Sequence, residues 1–310
     1  SVLFVVPMLA ATLLVGWRRL GPAAGAVFAL LVACMSTGPS FFDGGIHSHA
    51  HLASYNRHAW ALVTLVGLWA AVSPVRGAGR RFVVAERVAI VVVLVSLAYL
   101  KLNMFLAAAA MLGCVAVFDA DRRREAMSTG LSAAGALTVA IVLAPAFHGA
   151  YLRDLVEVWE VGRDPRFASA RAGRPARDFA WNGAALGFLL CLHAWLLVRA
   201  GRTPDRFAKA AIAVVSAVLG VLVNFQNCTL TVPVISALCV AAGVAVARSG
   251  FGTSSPARLP VAALAVVATL VPARFCAVQV AGALAHLVAV RGGEGVAIDP
   301  GIGPSLARVT

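Results

Sequence analysis

The chain has 310 residues, 61% apolar and 13% charged, with a formal net charge of +13. A soluble domain of this length needs more polar surface than that. The 26 lysines and arginines sit in short clusters between apolar runs rather than in one continuous patch, so nucleic acid is not an expected partner. The six cysteines, at 34, 114, 191, 228, 239 and 276, form no CxxC pair and suggest buried small hydrophobes rather than a disulfide framework.

Apolar runs recur along the chain at the length a helix needs to cross a hydrocarbon layer about 30 Å thick. In chain order they predict spans over 2–16, 21–37, 58–73, 86–100 and 103–118, then 128–146, 180–198, 207–223, 229–247 and 259–277. The expected fold class is all-α: a polytopic transmembrane helical bundle of about ten spans, occupying residues 1–290, with a tail over 291–310. Ser1 lies inside an apolar run with no initiator Met, which leads us to expect a fragment whose upstream part is missing.

Residues 88–118 are nearly uninterrupted apolar sequence, too long for one ordinary span, with Lys101 and Asn103 in the middle. An ammonium at the centre of a bilayer costs at least about 2.5 to 3.5 kcal/mol on insertion scales. Two short helices joined by a tight turn put Lys101 at a membrane surface instead, and the spans above are divided accordingly.

Alternation of the spans sorts the loops onto two sides. One side receives Arg18, Arg19, Arg76, Arg80, Arg81, Arg87, Arg122, Arg123 and Arg124, and then Arg199, Arg202, Arg206, Lys209, Arg248 and Arg258. The short loops opposite carry only Arg57 and Lys101. That bias marks the first side as cytoplasmic, in a bacterial inner membrane. The loops at 38–57, 101–102, 147–179 and 224–228 then face outward, as do Ser1 and the tail. Within the third of these, Leu152, Leu155, Val156 and Trp159 share one helical face, which predicts an amphipathic helix in the outer interface. His148 and Asp178 bracket that segment, and nothing in the sequence selects either for chemistry. Every Asp and Glu falls in a loop, at a span end or in the tail, which argues against an ion-coupled pump.

The polar residues that could do chemistry gather on the outward side. Asp43, His47, His49 and His51 lie in one loop, and an extended strand would point the three alternating imidazoles the same way. Three neutral imidazoles with a nearby carboxylate could hold a divalent metal ion, although a solvated loop is the simpler account. Asn224, Gln226 and Asn227 could hydrogen-bond a sugar or phosphate oxygen, or equally cap frayed helix ends. Lys101 could pair with a lipid phosphate or snorkel to ordinary headgroups. No GxSxG, HExxH, Walker or dinucleotide motif is present.

Three stretches, Tyr55-Asn-Arg-His-Ala-Trp-Ala-Leu62, Leu100-Lys-Leu-Asn-Met-Phe105 and Asn224-Phe-Gln-Asn followed by Pro233, resemble bacterial polytopic proteins of the GT-C glycosyltransferase superfamily. The resemblance implies transfer of a sugar from a polyprenyl-phosphate carrier to a glycan or lipid acceptor at the outer face of the inner membrane. It makes Tyr55, Asn56, Arg57, Lys101, Asn103, Asn224, Gln226 and Asn227 the candidate substrate-binding residues. In that family an Asp of the first outward loop is the general base. Here that loop would precede Ser1, which leaves Asp43 as a substitute candidate and allows a non-catalytic relative. The HxHxH run departs from the family pattern. The competing expectations are a transporter or flippase of a lipidic or small polar solute, and a metal-sensing subunit organised on His47, His49 and His51.

Overall fold

A computed structural model describes residues 2–37, 51–74, 79–162 and 204–225, with single positions between 270 and 288. Every element among them is helical: α1 Val2–Leu20, α2 Pro22–Thr37, α3 His51–Ala71, α4 Arg80–Leu100, α5 Leu102–Phe118, α6 Arg123–Leu143, α7 Pro145–Gly162 and α8 Pro204–Phe225. Two of these, α4 and α6, are long and apolar enough to cross a membrane. Shorter apolar stretches occupy Pro22–Cys34, Leu102–Phe118 and Phe207–Gly220. The stretches expected as spans at 180–198 and 229–247 lie outside the described residues, as does most of 259–277.

The helix breaks follow local chemistry. Between α1 and α2, Gly21 takes a positive φ of 82°, open to glycine without a Cβ penalty, and its N–H caps the Trp17 carbonyl at 2.9 Å. Pro22 then starts α2, where its missing N–H would have had no partner anyway. The apolar run at 88–118 breaks at Lys101, whose backbone is extended (φ −164°, ψ 102°). The Lys101 N–H closes α4 on the Leu97 carbonyl at 2.8 Å, and its own carbonyl opens α5 by accepting from the N–H groups of Met104 and Phe105, each at 3.0 Å. Pro145 separates α6 from α7, because a proline cannot donate into the preceding helix.

Helix α3 lies at the centre, packed against α1, α2, α4, α5 and α8. Its residues from Ala61 to Ala70 are all buried, as expected of a helix apolar all the way round. Elsewhere several large apolar side chains face outward while a few charges are buried. Leu131, Val142 and Leu143 of α6 are more than 70% exposed, and Val92, Leu106 and Val117 are over half exposed. Meanwhile Arg19 and Glu86 are completely buried. Two buried threonine hydroxyls bond back to their own helix, Thr12 to Met8 O at 2.7 Å and Thr64 to Trp60 O at 2.8 Å, so neither asks water for a partner.

Among the described residues the buried charges form one cluster, where the C-terminal ends of α1, α3 and α5 meet the N-terminal ends of α4 and α6. The Glu86 carboxylate accepts from Arg18 and from Arg19, whose Nε stands 2.7 Å from Oε1. Arg19 also donates to the carbonyls of Trp69, at 2.8 Å, and Val72. Arg122 donates to the carbonyls of Ala70 at 2.9 Å and Trp69 at 2.5 Å. Two guanidiniums thus close the last carbonyls of α3, where the helix dipole is negative. Both also sit over the Trp69 ring, with Arg19 Cζ 4.9 Å and Arg122 Cζ 4.7 Å from its centroid. Burial first, then the neighbouring Arg19, lowers the Arg122 pKa to about 9 against the pull of Glu125, Asp119 and Glu86; the guanidinium stays charged at neutral pH.

The sequence sorts Arg18, Arg19 and Arg122 to the cytoplasmic side, and the fold buries all three, because α1 runs on to Leu20 and carries its two arginines into the bundle. Glu86 was placed at a span end, but α4 begins at Arg80, which puts the carboxylate almost two turns inside the helix. Arg18, Arg19 and Arg122, from connections sorted to the same side, converge at one end.

Candidate functional site

The opposite end of the bundle carries the Lys101 break. Along α4 it lies roughly 20 Å from Glu86, from a rise of about 1.5 Å per residue. The Lys101 side chain is half-buried, and burial lowers its pKa to about 8, so its ammonium is present at neutral pH but easily lost. Asn103, two residues on, accepts at Oδ1 from the Met104 N–H at 2.9 Å, an N–H it shares with the Lys101 carbonyl. Arg57, in the opening third of α3, is half-buried, and burial lowers its pKa to about 10.

Below Lys101 an apolar groove of about 330 Å³ runs between α5 and α6, with Leu94 of α4 on one edge. It passes from Phe105 and Leu137 toward Ala116 and Ala126, over a wall kept shallow by Gly113, Gly130 and several alanines. A Cβ built on Gly113 would meet nothing within 4 Å, so the groove is open at that point. Phe105, at one end of the groove, stands one helical turn along the chain from Lys101.

Helix α7 docks beside this end through aromatic residues. Ending α4 at Leu100 leaves its last carbonyls without partners in the helix, and the Tyr151 hydroxyl takes that of Ala98 at 2.7 Å. Burial and the neighbouring Tyr99 raise the Tyr151 pKa. Tyr99 Oη lies 2.7 Å from His148 Nε2, and His148 Nδ1 lies 2.7 Å from the Ala144 carbonyl. A carbonyl can only accept, so Nδ1 carries the proton and a neutral His148 takes the Tyr99 hydrogen on Nε2. Phe147 packs against Tyr99 and His148 at centroid distances of 6.2 and 5.3 Å. The amphipathic helix expected over 151–159 is present and longer, with Leu152 and Val156 exposed.

The expected site residues divide as follows. Arg57, Lys101 and Asn103 belong to this end. Tyr55 and Asn56 lie in the first turns of α3, with only their backbone described, and Asn224 closes α8 in the same way. His51 is the first residue of α3, with only its backbone described. Asp43, His47, His49, Gln226 and Asn227 lie outside the described residues. Tyr99 and His148 were missed by sequence reasoning. They are 49 positions apart, and only a tyrosine in the last turn of a span followed by a histidine just beyond Pro145 hinted that they meet.

No known protein family, curated protein or solved structure matches the chain. The described residues define an all-helical fold with two candidate membrane-spanning helices and a buried cluster of charge.

Proposed function

We propose that the chain is a polytopic protein of the bacterial inner membrane that handles a polyprenyl-phosphate-linked sugar at its outer face, as a GT-C-like glycosyltransferase or a non-catalytic relative. The carrying observation is the apolar groove ending one turn from Lys101. An isoprenoid chain needs an uninterrupted apolar furrow, and its phosphate needs a cation where the furrow reaches the interface. Exposed aliphatic side chains around buried ion pairs support a hydrocarbon solvent for the bundle. The interfacial helix α7 supports work at a membrane surface. Metal at His47, His49 and His51 is a separate proposal, to be tested by the metal content of the purified protein and of His47→Ala/His49→Ala.

Two outcomes test the groove. Gly113→Leu adds a side chain where the structure has open space, so the protein should fold and yet lose about tenfold or more in binding of a photoreactive polyprenyl-phosphate hexose, as expected when more than 1.4 kcal/mol of contact is denied. Unchanged cross-linking would remove the groove from the mechanism.

The second outcome is a pH dependence. The ammonium of Lys101 is the binding form and its pKa is about 8 without ligand, so a bound phosphate must raise that pKa. Affinity should be constant well below pH 8. Above it the affinity should fall, by up to about tenfold per pH unit until the pKa of the complex is reached. Lys101→Ala should abolish the slope. A flat profile in the wild-type protein would mean that Lys101 does not meet the phosphate.

The groove also extends along α6 from Ala126 to Leu137, roughly 16 Å at about 1.5 Å per residue, which would suit a flippase. Translocation of a fluorescent polyprenyl phosphate without sugar transfer would favour that second reading.

A further inference from the structure

At the end of α4 that leads into Lys101, Tyr99 and His148 form a hydrogen-bonded pair. Tyr99 Oη and His148 Nε2 are 2.7 Å apart, and the Ala144 carbonyl at 2.7 Å from Nδ1 fixes the tautomer that leaves Nε2 free to accept. This is the arrangement of a hydroxyl, a base and a group that orients the base. A further property follows from the chemistry of the two ends. When His148 is neutral, Tyr99 donates to it. When His148 is protonated, Nε2–H donates to the Tyr99 oxygen, which can accept as well as donate. The pair can therefore gain a proton with its heavy atoms in place. Both residues are partly exposed, and Tyr99 precedes Lys101 by two positions at the end of α4.

We infer that Tyr99 and His148 form the acid–base relay of sugar transfer, with Tyr99 facing the acceptor; the inference rests on the function proposed above. The acceptor O–H bond breaks, and its proton passes to Tyr99 Oη as the Tyr99 proton passes to His148 Nε2. The freed electron pair on the acceptor oxygen forms the bond to the anomeric carbon. The bond from that carbon to the carrier phosphate oxygen breaks, and its electron pair leaves with the phosphate toward the Lys101 ammonium. The imidazolium, held through Nδ1–H by the Ala144 carbonyl, then loses its extra proton to water. Tyr151 has a different part, docking α7 through the Ala98 carbonyl.

The test uses the full chain in phospholipid vesicles loaded with a radiolabelled polyprenyl-phosphate hexose, following both donor binding and release of hexose to octyl hexoside or to water. Tyr99→Phe and His148→Gln should each slow release by about 10²- to 10⁴-fold, the usual worth of a positioned acid–base group, with donor binding intact. Tyr151→Phe should change release little. Wild-type rates in Tyr99→Phe or His148→Gln would overturn the relay. So would equal loss of donor binding in all three variants, which would mark a docking role alone. A donor that binds but is never released by the wild type would also overturn it while leaving the lipid-binding reading intact. Absence of donor binding would sink that reading and the relay together.

Discussion

Replacing Glu86 by alanine should destabilise the protein by about 3 to 5 kcal/mol, the usual result of stripping one partner from a buried ion pair. Arg18 and Arg19 both donate to this carboxylate, and Arg18, Arg19 and Glu86 are all buried. Without it two guanidiniums would face each other in a site of low polarity. Arg19 would keep the Trp69 and Val72 carbonyls and Glu125, whose Oε1 is 3.6 Å from its Nη2. Arg18 would lose its carboxylate partner. The damage should therefore be partly repaired by Arg18→Leu in the Glu86→Ala background, because the second change removes a stranded charge instead of another contact. Thermal or denaturant unfolding of the purified protein in detergent measures both. Should Glu86→Ala unfold within about 0.5 kcal/mol of wild type, the cluster would have to be hydrated rather than sealed.

What the sequence shows and what it hides follow from how local each interaction is. The break at Lys101 is legible because one charge in the middle of an over-long apolar run has few inexpensive places to go. The end of α6 is legible at Pro145, and the turn between α1 and α2 at Gly21-Pro22. The convergence of Arg18, Arg19 and Arg122 follows from alternation alone, since antiparallel helices must bring every second connection to the same end. Glu86 was not legible. Arg80, Arg81 and Arg87 surround it in sequence and make it look solvated, while the groups that bury it come from α1, 67 and 68 positions away. Tyr99 and His148 were hidden for the same reason: each looks ordinary where it stands, and their pairing depends on how α7 folds back over the end of α4. Residue type pointed to Lys101 and Asn103, but it could not reveal the groove that ends at Phe105, because a groove is made of what glycine and alanine leave out.

The second large effect is expected at a residue with no polar role. α1 and α2 come so close that a Cβ on Gly25 would lie 2.7 Å from both the Gly16 carbonyl carbon and the Trp17 nitrogen, and 2.9 Å from the Gly16 oxygen. These are backbone atoms and cannot swing aside, so Gly25→Ala must push the helices apart. Overpacking of this kind costs about 1 to 3 kcal/mol, and in a bilayer it also removes the close packing that holds small-residue helix pairs together. Gly16→Ala should be milder, because its Cβ would stand 3.1 Å from Gly25. The displacement should not stop at the hairpin. Arg18 and Arg19 follow Gly16 on the same helix, so moving α1 away from α2 also moves both guanidiniums relative to Glu86. Gly25→Ala and Glu86→Ala should then be non-additive, the double variant losing less stability than the two single losses together, as for residues sharing one network. Strict additivity in unfolding measurements would show that the hairpin and the ion cluster are held independently. A Gly25→Ala protein as stable as wild type would show that the helices do not approach as closely as the backbone contact requires.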